Sequence, residues 1–268
     1  MSVIATVALN VYRESVRDRV LYNLVFFALL LMGASVLIGQ LTAGQDVKII
    51  KDLGLAAISL FGLFIAIFIG IGLVSKEIER RSGYAVLAKP VRREQLVLGK
   101  YAGLVLTLLV NVGVMVLVWY AVLAWLSWVT PEPLKQTWAA PATDPRLLIA
   151  VALIFVELML VTAIAVFFST FSSPMLSAAL AFGLYAVGHL SPDFKNLGPV
   201  LQSPAVGAVA EALYYVFPNL AAFDVKAEVV HARPVALSYV LTTTAYGLAY
   251  VAALLVGAMA IFARRDFK

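Results

Sequence analysis

Cysteine is absent from this chain of 268 residues. Disulfides and thiolate metal sites are therefore excluded, and the redox compartment is not legible. Histidine occurs only twice, at His189 and His231. Far apart in sequence and both near the same membrane face, they read as two unrelated interfacial residues rather than a metal pair. Charge is scarce too: 13% of residues are charged, against about 25% in a soluble domain. The sequence contains neither G-x-x-x-x-G-K-[ST] nor H-E-x-x-H, so a P-loop for ATP and a zinc-peptidase helix are both missing. The six methionines show no clustered spacing suited to copper(I) transfer. No catalytic pair, cofactor site or metal site is expected in the chain itself.

What is abundant is apolar surface. Hydrophobic residues make up 63% of the chain and the mean hydropathy is +0.97. A soluble fold would lack the polar surface to cover itself, so the class is an all-α, polytopic membrane protein. The net charge of +5 does not point to nucleic acid, because the positive charges follow the membrane boundaries. Nor does a cleavable signal stand out: Arg13, Glu14, Arg17, Asp18 and Arg19 precede the first apolar run.

A spanning helix needs about 20 mostly apolar residues. Uncharged runs predict spans at 21–43, 53–75 and 101–129. Residues 147–192 carry one charge, Glu157. As a single helix that run would be about 69 Å long, twice the hydrocarbon thickness, so it must fold back. The break is Ser169-Thr-Phe-Ser-Ser-Pro174: hydroxyls that bond locally to backbone, then a proline suited to a first helical turn. Spans 147–168 and 174–191 follow, and 235–262 completes six. With the N-terminus inside, thirteen Lys and Arg fall on inside segments and seven on outside ones, which favours both termini in the cytoplasm. Residues 1–20 form an amphipathic interfacial helix, with Ile4, Val7, Val11 and Tyr12 on one side. Segment 191–234 is outside; its Ala205–Phe217 stretch is too short to span and too apolar to float free, so it reads as a membrane-associated or re-entrant helix. The whole is one transmembrane domain, 1–268.

Charge concentrates in one place. Residues 76–100, KEIERRSGYAVLAKPVRREQLVLGK, hold ten of the 35 charged residues. Gly83 permits a break, and Pro90 forces Lys89 out of α geometry. The result is a short helix held crosswise between two spans. The positive-inside rule accounts for its seven cations. It leaves apolar Val86, Leu87, Val91 and Leu96 unexplained in a stretch that should be polar.

The run Glu79-(three residues)-Gly83-Tyr84-(two)-Leu87-(two)-Pro90-Val91-Arg92-Arg93, followed by Gly99-Lys100, resembles the first cytoplasmic loop of type-2 ABC transporter permeases, the ABC-2 family. The interfacial N-terminal helix, the six spans and the Ser-rich turn fit that resemblance. Phe217-Pro-Asn-Leu-Ala-Ala-Phe-Asp224 further resembles the branch associated with multicopper-enzyme maturation, as in nitrous-oxide reductase assembly. The resemblance implies a permease subunit of an ATP-driven exporter in a prokaryotic plasma (inner) membrane. Residues 76–100 would be a coupling helix seated in a separate cytoplasmic ABC ATPase, which would hold the ATP and Mg. Glu79, Gly83, Tyr84, Leu87, Pro90, Arg92 and Arg93 are the coupling positions it implies. A second permease copy or a paralogue would complete the pathway. One departure is Arg92, where a Ser or Thr commonly caps the following helix.

Two further features await the fold. Glu157 is the one acid within a span, and Asn111 in the third span lies at matching depth, so the two are expected to hydrogen-bond. Small residues recur at Gly62, Ala66 and Gly70, and at Ala245, Ala249, Ala253 and Gly257. Such stripes let helix backbones approach. Packing within the chain is the first reading of each, a dimer seam the second. Alternatives to the exporter are a secondary transporter and a non-transporting mechanotransmission subunit. Against the former, the basic loop has no counterpart in the second half.

Overall fold

Within hydrocarbon every backbone polar group must be satisfied inside the protein, so the apolar runs become helices. The computed structural model describes residues 2–40, 46–79, 93–194 and 204–264. Its helices are α1 (Val3–Ser15), α2 (Arg19–Gln40), α3 (Asp46–Glu79), α4 (Arg93–Val129), α5 (Glu132–Lys135), α6 (Leu147–Ser169), α7 (Pro174–His189), α8 (Pro204–Val216), α9 (Lys226–Val230) and α10 (Leu237–Arg264). Five of them, α2, α3, α4, α6 and α10, are long and apolar enough to cross a membrane. The chain is an all-α polytopic membrane protein.

Two boundaries differ from the sequence reading, the start of α3 and the end of α7. Helix α3 has 34 residues where the uncharged run has 23, because helical hydrogen bonding continues past the last apolar turn at both ends. It therefore carries Lys48 and Lys51 in helix rather than in a loop. Helix α4 starts at Arg93, where a helix restarting near Arg92 was expected, and runs unbroken through the third span for 37 residues. Helix α7 is a shorter apolar helix of 16 residues, about 24 Å, two residues shorter than the 174–191 run.

The fold-back forms as its chemistry requires. Ser169 and Thr170 hydroxyls donate to the Val166 and Phe167 carbonyls at 2.7 Å, and Ser172 donates to Phe168 at 2.8 Å. They satisfy carbonyls that the end of α6 leaves open. Pro174 then opens α7, where a missing N–H costs nothing.

Helix α6 is the centre. It packs against α3, α4, α7 and α10, and Leu158 and the run Leu160–Val166 are buried. Its neighbours approach through small residues. A β-carbon at Gly62 would collide with Leu158, and one at Gly70 would stand 3.2 Å from Ala165. Ala66 between them is buried, so the α3 stripe faces α6 within the chain. The α10 stripe divides. Gly257 lies against Phe167 of α6, whereas Ala245, Ala249 and Ala253 are exposed on the outer side of α10.

Helix α1 is docked on the bundle. Its start is capped by Ser2, whose hydroxyl accepts from the Ala5 N–H at 3.3 Å. Val11 is buried against α4, at a place where α4 has no side chain. A β-carbon on Gly103 would meet the Ala8 carbonyl oxygen at 2.6 Å and Val11 Cβ at 2.7 Å. Gly99 meets Val7 in the same way.

Two glycines of α4 predict opposite outcomes for the same substitution. Gly103→Ala should destabilise the folded protein by about 1–3 kcal/mol, because backbone stands where the methyl must go. Gly113→Ala, with nothing within 4 Å of its β-carbon, should be neutral or slightly stabilising. Thermal unfolding in detergent measures both.

Candidate functional site

The basic connection between α3 and α4 is framed by described residues on either side. Glu79 is the last residue of α3 and Arg93 the first of α4. Gly83, Tyr84, Leu87, Pro90 and Arg92 lie outside the described residues. The base of α4 is held firmly. Helix α1 grips it at Gly99 and Gly103. Between those two glycines, on the other side of the helix, the Tyr101 hydroxyl donates to the Met159 carbonyl of α6 at 3.1 Å. Lys100 between them is buried. The start of α4 is thus tied both to α1 and to the central α6.

Midway along the bundle, α6 carries Glu157, buried at 2% exposure. The expected hydrogen bond with Asn111 is absent among the described residues. Asn111 Nδ2 instead donates along its own helix to the Thr107 carbonyl at 2.6 Å, and Glu157 Oε1 lies 3.4 Å from His189 Nε2 of α7. Equal depth was a sound criterion, but depth says nothing about which way each side chain points around its helix. His189 Nδ1 is 3.3 Å from the Tyr185 carbonyl. A carbonyl only accepts, so Nδ1 carries the hydrogen and Nε2 faces the carboxylate. The Tyr185 and His189 rings lie 4.5 Å apart, and Tyr185 is hydrogen-bonded to Ser59 of α3. The Lys226–Asp224 pair, at 3.5 Å, is close enough for its charges to act on both Glu157 and His189. Glu157 thus sits where α3, α6, α7 and the 218–230 segment converge.

That segment occupies the depth that short α7 leaves open. The Leu220 N–H donates to the Gly188 carbonyl near the end of α7 at 3.0 Å. Leu220 and Phe223 are fully buried, and α9 packs against α3 and α6. Count from the shared Ser-rich turn: Glu157 is twelve residues before Ser169 and His189 fifteen after Pro174. Their depths then agree within about 5 Å, a signal present in the sequence but passed over in favour of Asn111.

At the same end, the buried Lys51 amine donates to the Pro141 carbonyl at 2.8 Å. The Trp119 indole donates to the Ile50 carbonyl at 3.2 Å, lying over Gly54. The Tyr120 hydroxyl donates to the Asp144 carbonyl at 3.0 Å. Together these bonds tie the α4–α6 connection to α3 and α4, and α4 to α3.

A long-helix bundle of this order, with a docked N-terminal helix and a basic connection between α3 and α4, can be set beside known families. The model of the ABC-2 family transporter protein matches residues 5–267. The chain belongs to the ABC-2 transporter family. No curated protein matches it. As a membrane subunit of that family it is a permease component of an ABC transporter, of a kind that is typically not catalytic and generally works with an ABC ATPase. The match is to the family as a whole and does not reach the multicopper-maturation branch. Among the described residues of this ABC-2 permease, no three His, Asp or Glu side chains gather to hold a metal.

The polar contacts yield a discriminating prediction. A double-mutant cycle between Glu157→Leu and His189→Leu should give a coupling of about 0.5–1.7 kcal/mol. The cycle of Glu157→Leu with Asn111→Leu should be additive within about 0.5 kcal/mol. Glu157→Gln, which keeps shape and hydrogen-bonding capacity, should assemble normally. Unfolding of purified protein in detergent reads all three.

Proposed function

We propose that this permease is the membrane subunit of an ATP-driven exporter in a prokaryotic plasma membrane, with both termini cytoplasmic. Its connection between α3 and α4 receives the movement of a separate ABC ATPase, which binds the ATP and Mg. Leu87 and its apolar neighbours seat in the ATPase, and Arg92 and Arg93 add charge-assisted contacts. Glu79 and Arg93, at the two helix ends, pass the displacement into α3 and α4.

The observation that carries this reading is mechanical. The two helices flanking the connection are the longest in the protein, and α1 and α6 brace the start of α4. A lever needs such stiff arms. The resemblance of residues 79–100 to the family's coupling loop supports the same assignment. A pathway would form between two copies, or between one copy and a paralogue, since the inner seam of α3, α4 and α6 at Ala66, Thr107 and Thr162 has no room for a water molecule.

That filled seam also favours a second reading, in which the subunit transmits ATP-driven movement to the opposite face without transporting anything. The two differ in what crosses the membrane and share the ATPase. A secondary transporter, by contrast, would have no ATPase bound.

Expression with the neighbouring genes should co-purify an ATPase. Leu87→Asp with Arg92→Glu should weaken that association by about tenfold or more, equivalent to about 1.4 kcal/mol, while the permease stays monodisperse on gel filtration. Purification with no ATPase attached would favour the secondary transporter.

A further inference from the structure

Glu157 Oε1 is a buried carboxyl oxygen with no hydrogen-bond partner among the described residues. It lies 3.4 Å from Nε2 of His189. The Glu157 side chain is 3% exposed and that of His189 27%. On the far side of the imidazole, Nδ1 stands 3.3 Å from the Tyr185 carbonyl, which accepts only and so keeps a hydrogen on Nδ1. Nε2 is then the ring nitrogen that gains or loses a proton, and it is the one beside the carboxyl group.

The pair can hold no proton, one or two. With none, a buried carboxylate faces the lone pair of Nε2. With two, a buried imidazolium faces a carboxylic acid. Either state leaves a net charge out of water, which is costly. With one proton, on Nε2 or on the carboxyl group, the net charge is zero and the two atoms attract. Neighbouring charge does not alter that order. From the 218–230 segment, Asp224 and Lys226 act on both members, but they are opposite in sign and 3.5 Å apart. Tyr185 of α7 is bonded to Ser59 of α3 and, as a phenol, is uncharged near neutral pH. Among the described residues, no charged group of α3, α4 or α10 acts on either member. His189 also ends α7, where the helix dipole favours positive charge, so the state without a proton is disfavoured further.

We propose that Glu157 and His189 form a proton-binding site, which holds one proton while α7 is seated on α6 and releases it when the two part near neutral pH. Apart and in water, a glutamate keeps its proton only below about pH 4.3 and a histidine below about pH 6.5. Above about pH 6.5 the seated form therefore binds more protons than the parted one, and its stability falls as pH rises. Below about pH 4.3 the parted form binds two, and stability falls as pH falls. His189, the more exposed member, is where the proton enters. The site stands whether or not an ATPase drives the protein.

The scarcity of histidine makes this proton observable. Full-length protein carrying isotope-labelled histidine and His231→Asn, in lipid nanodiscs, leaves one imidazole for nitrogen NMR. Its Nδ1 should stay protonated, while its Nε2 resonance should move as pH rises above about 7. In Glu157→Gln, which keeps the shape and cannot titrate, Nε2 should not move in that range. Stability is the second readout. In a non-ionic detergent, the folded-to-unfolded ratio should fall by up to about tenfold per pH unit above about pH 7, relative to Glu157→Gln. Should Glu157→Gln fail to fold, Glu157→Met, of similar length and equally unable to titrate, carries both comparisons. An Nε2 resonance that stays still above pH 7 in the otherwise native protein, or moves equally in the variant, would overturn the proposal. So would equal pH dependence of stability in the two proteins.

Discussion

Close approach of helix backbones is what the rest of this structure depends on. Lipid tails are as apolar as leucine, so spanning helices gain little by hiding from them and associate through contact instead. Here the contacts sit where side chains are smallest. The Ala8 carbonyl meets Gly103, Leu158 fills the notch at Gly62, and Ala165 meets Gly70. From these follow the central place of α6, the docking of α1 and the stiffness at the base of α4. Were the helices a few ångström further apart, the α3–α4 connection would move without moving anything else.

Buried charge imposes the second constraint. A charged group in the hydrocarbon region is expensive unless paired or bonded. Lys51 meets that cost with the Pro141 carbonyl, whereas Glu157 Oε1, 3.4 Å from His189 Nε2, makes no hydrogen bond among the described residues. The first ties the α4–α6 connection to α3, and the second sets α6 beside the end of α7. Polar groups thus determine how one end of the bundle closes, while small residues determine how its middle packs.

Much of the architecture was legible because charge is so sparse. The silence of residues 20–45 and 101–131 marks two helices directly, and the hydroxyl-rich run before Pro174 marks the fold-back. Helix ends were less legible: apolarity reports where lipid ends, whereas α3 goes on hydrogen-bonding from Asp46 to Glu79. The Asn111–Glu157 pairing failed for a related reason. Depth follows from counting residues, but azimuth follows from neighbours that composition does not reveal. The stripe at Ala245, Ala249 and Ala253 shows the same limit, since only Gly257, one turn further, turns inward to α6.

Function as an ATP-driven permease requires that the basic connection face the compartment that holds nucleotide. The absence of native cysteine makes this directly measurable. A single Leu87→Cys variant, exposed to a membrane-impermeant maleimide, should stay unlabelled in intact cells and label fully once the membrane is opened. Labelling from outside, in sealed cells, would place the connection on the wrong face and contradict the account.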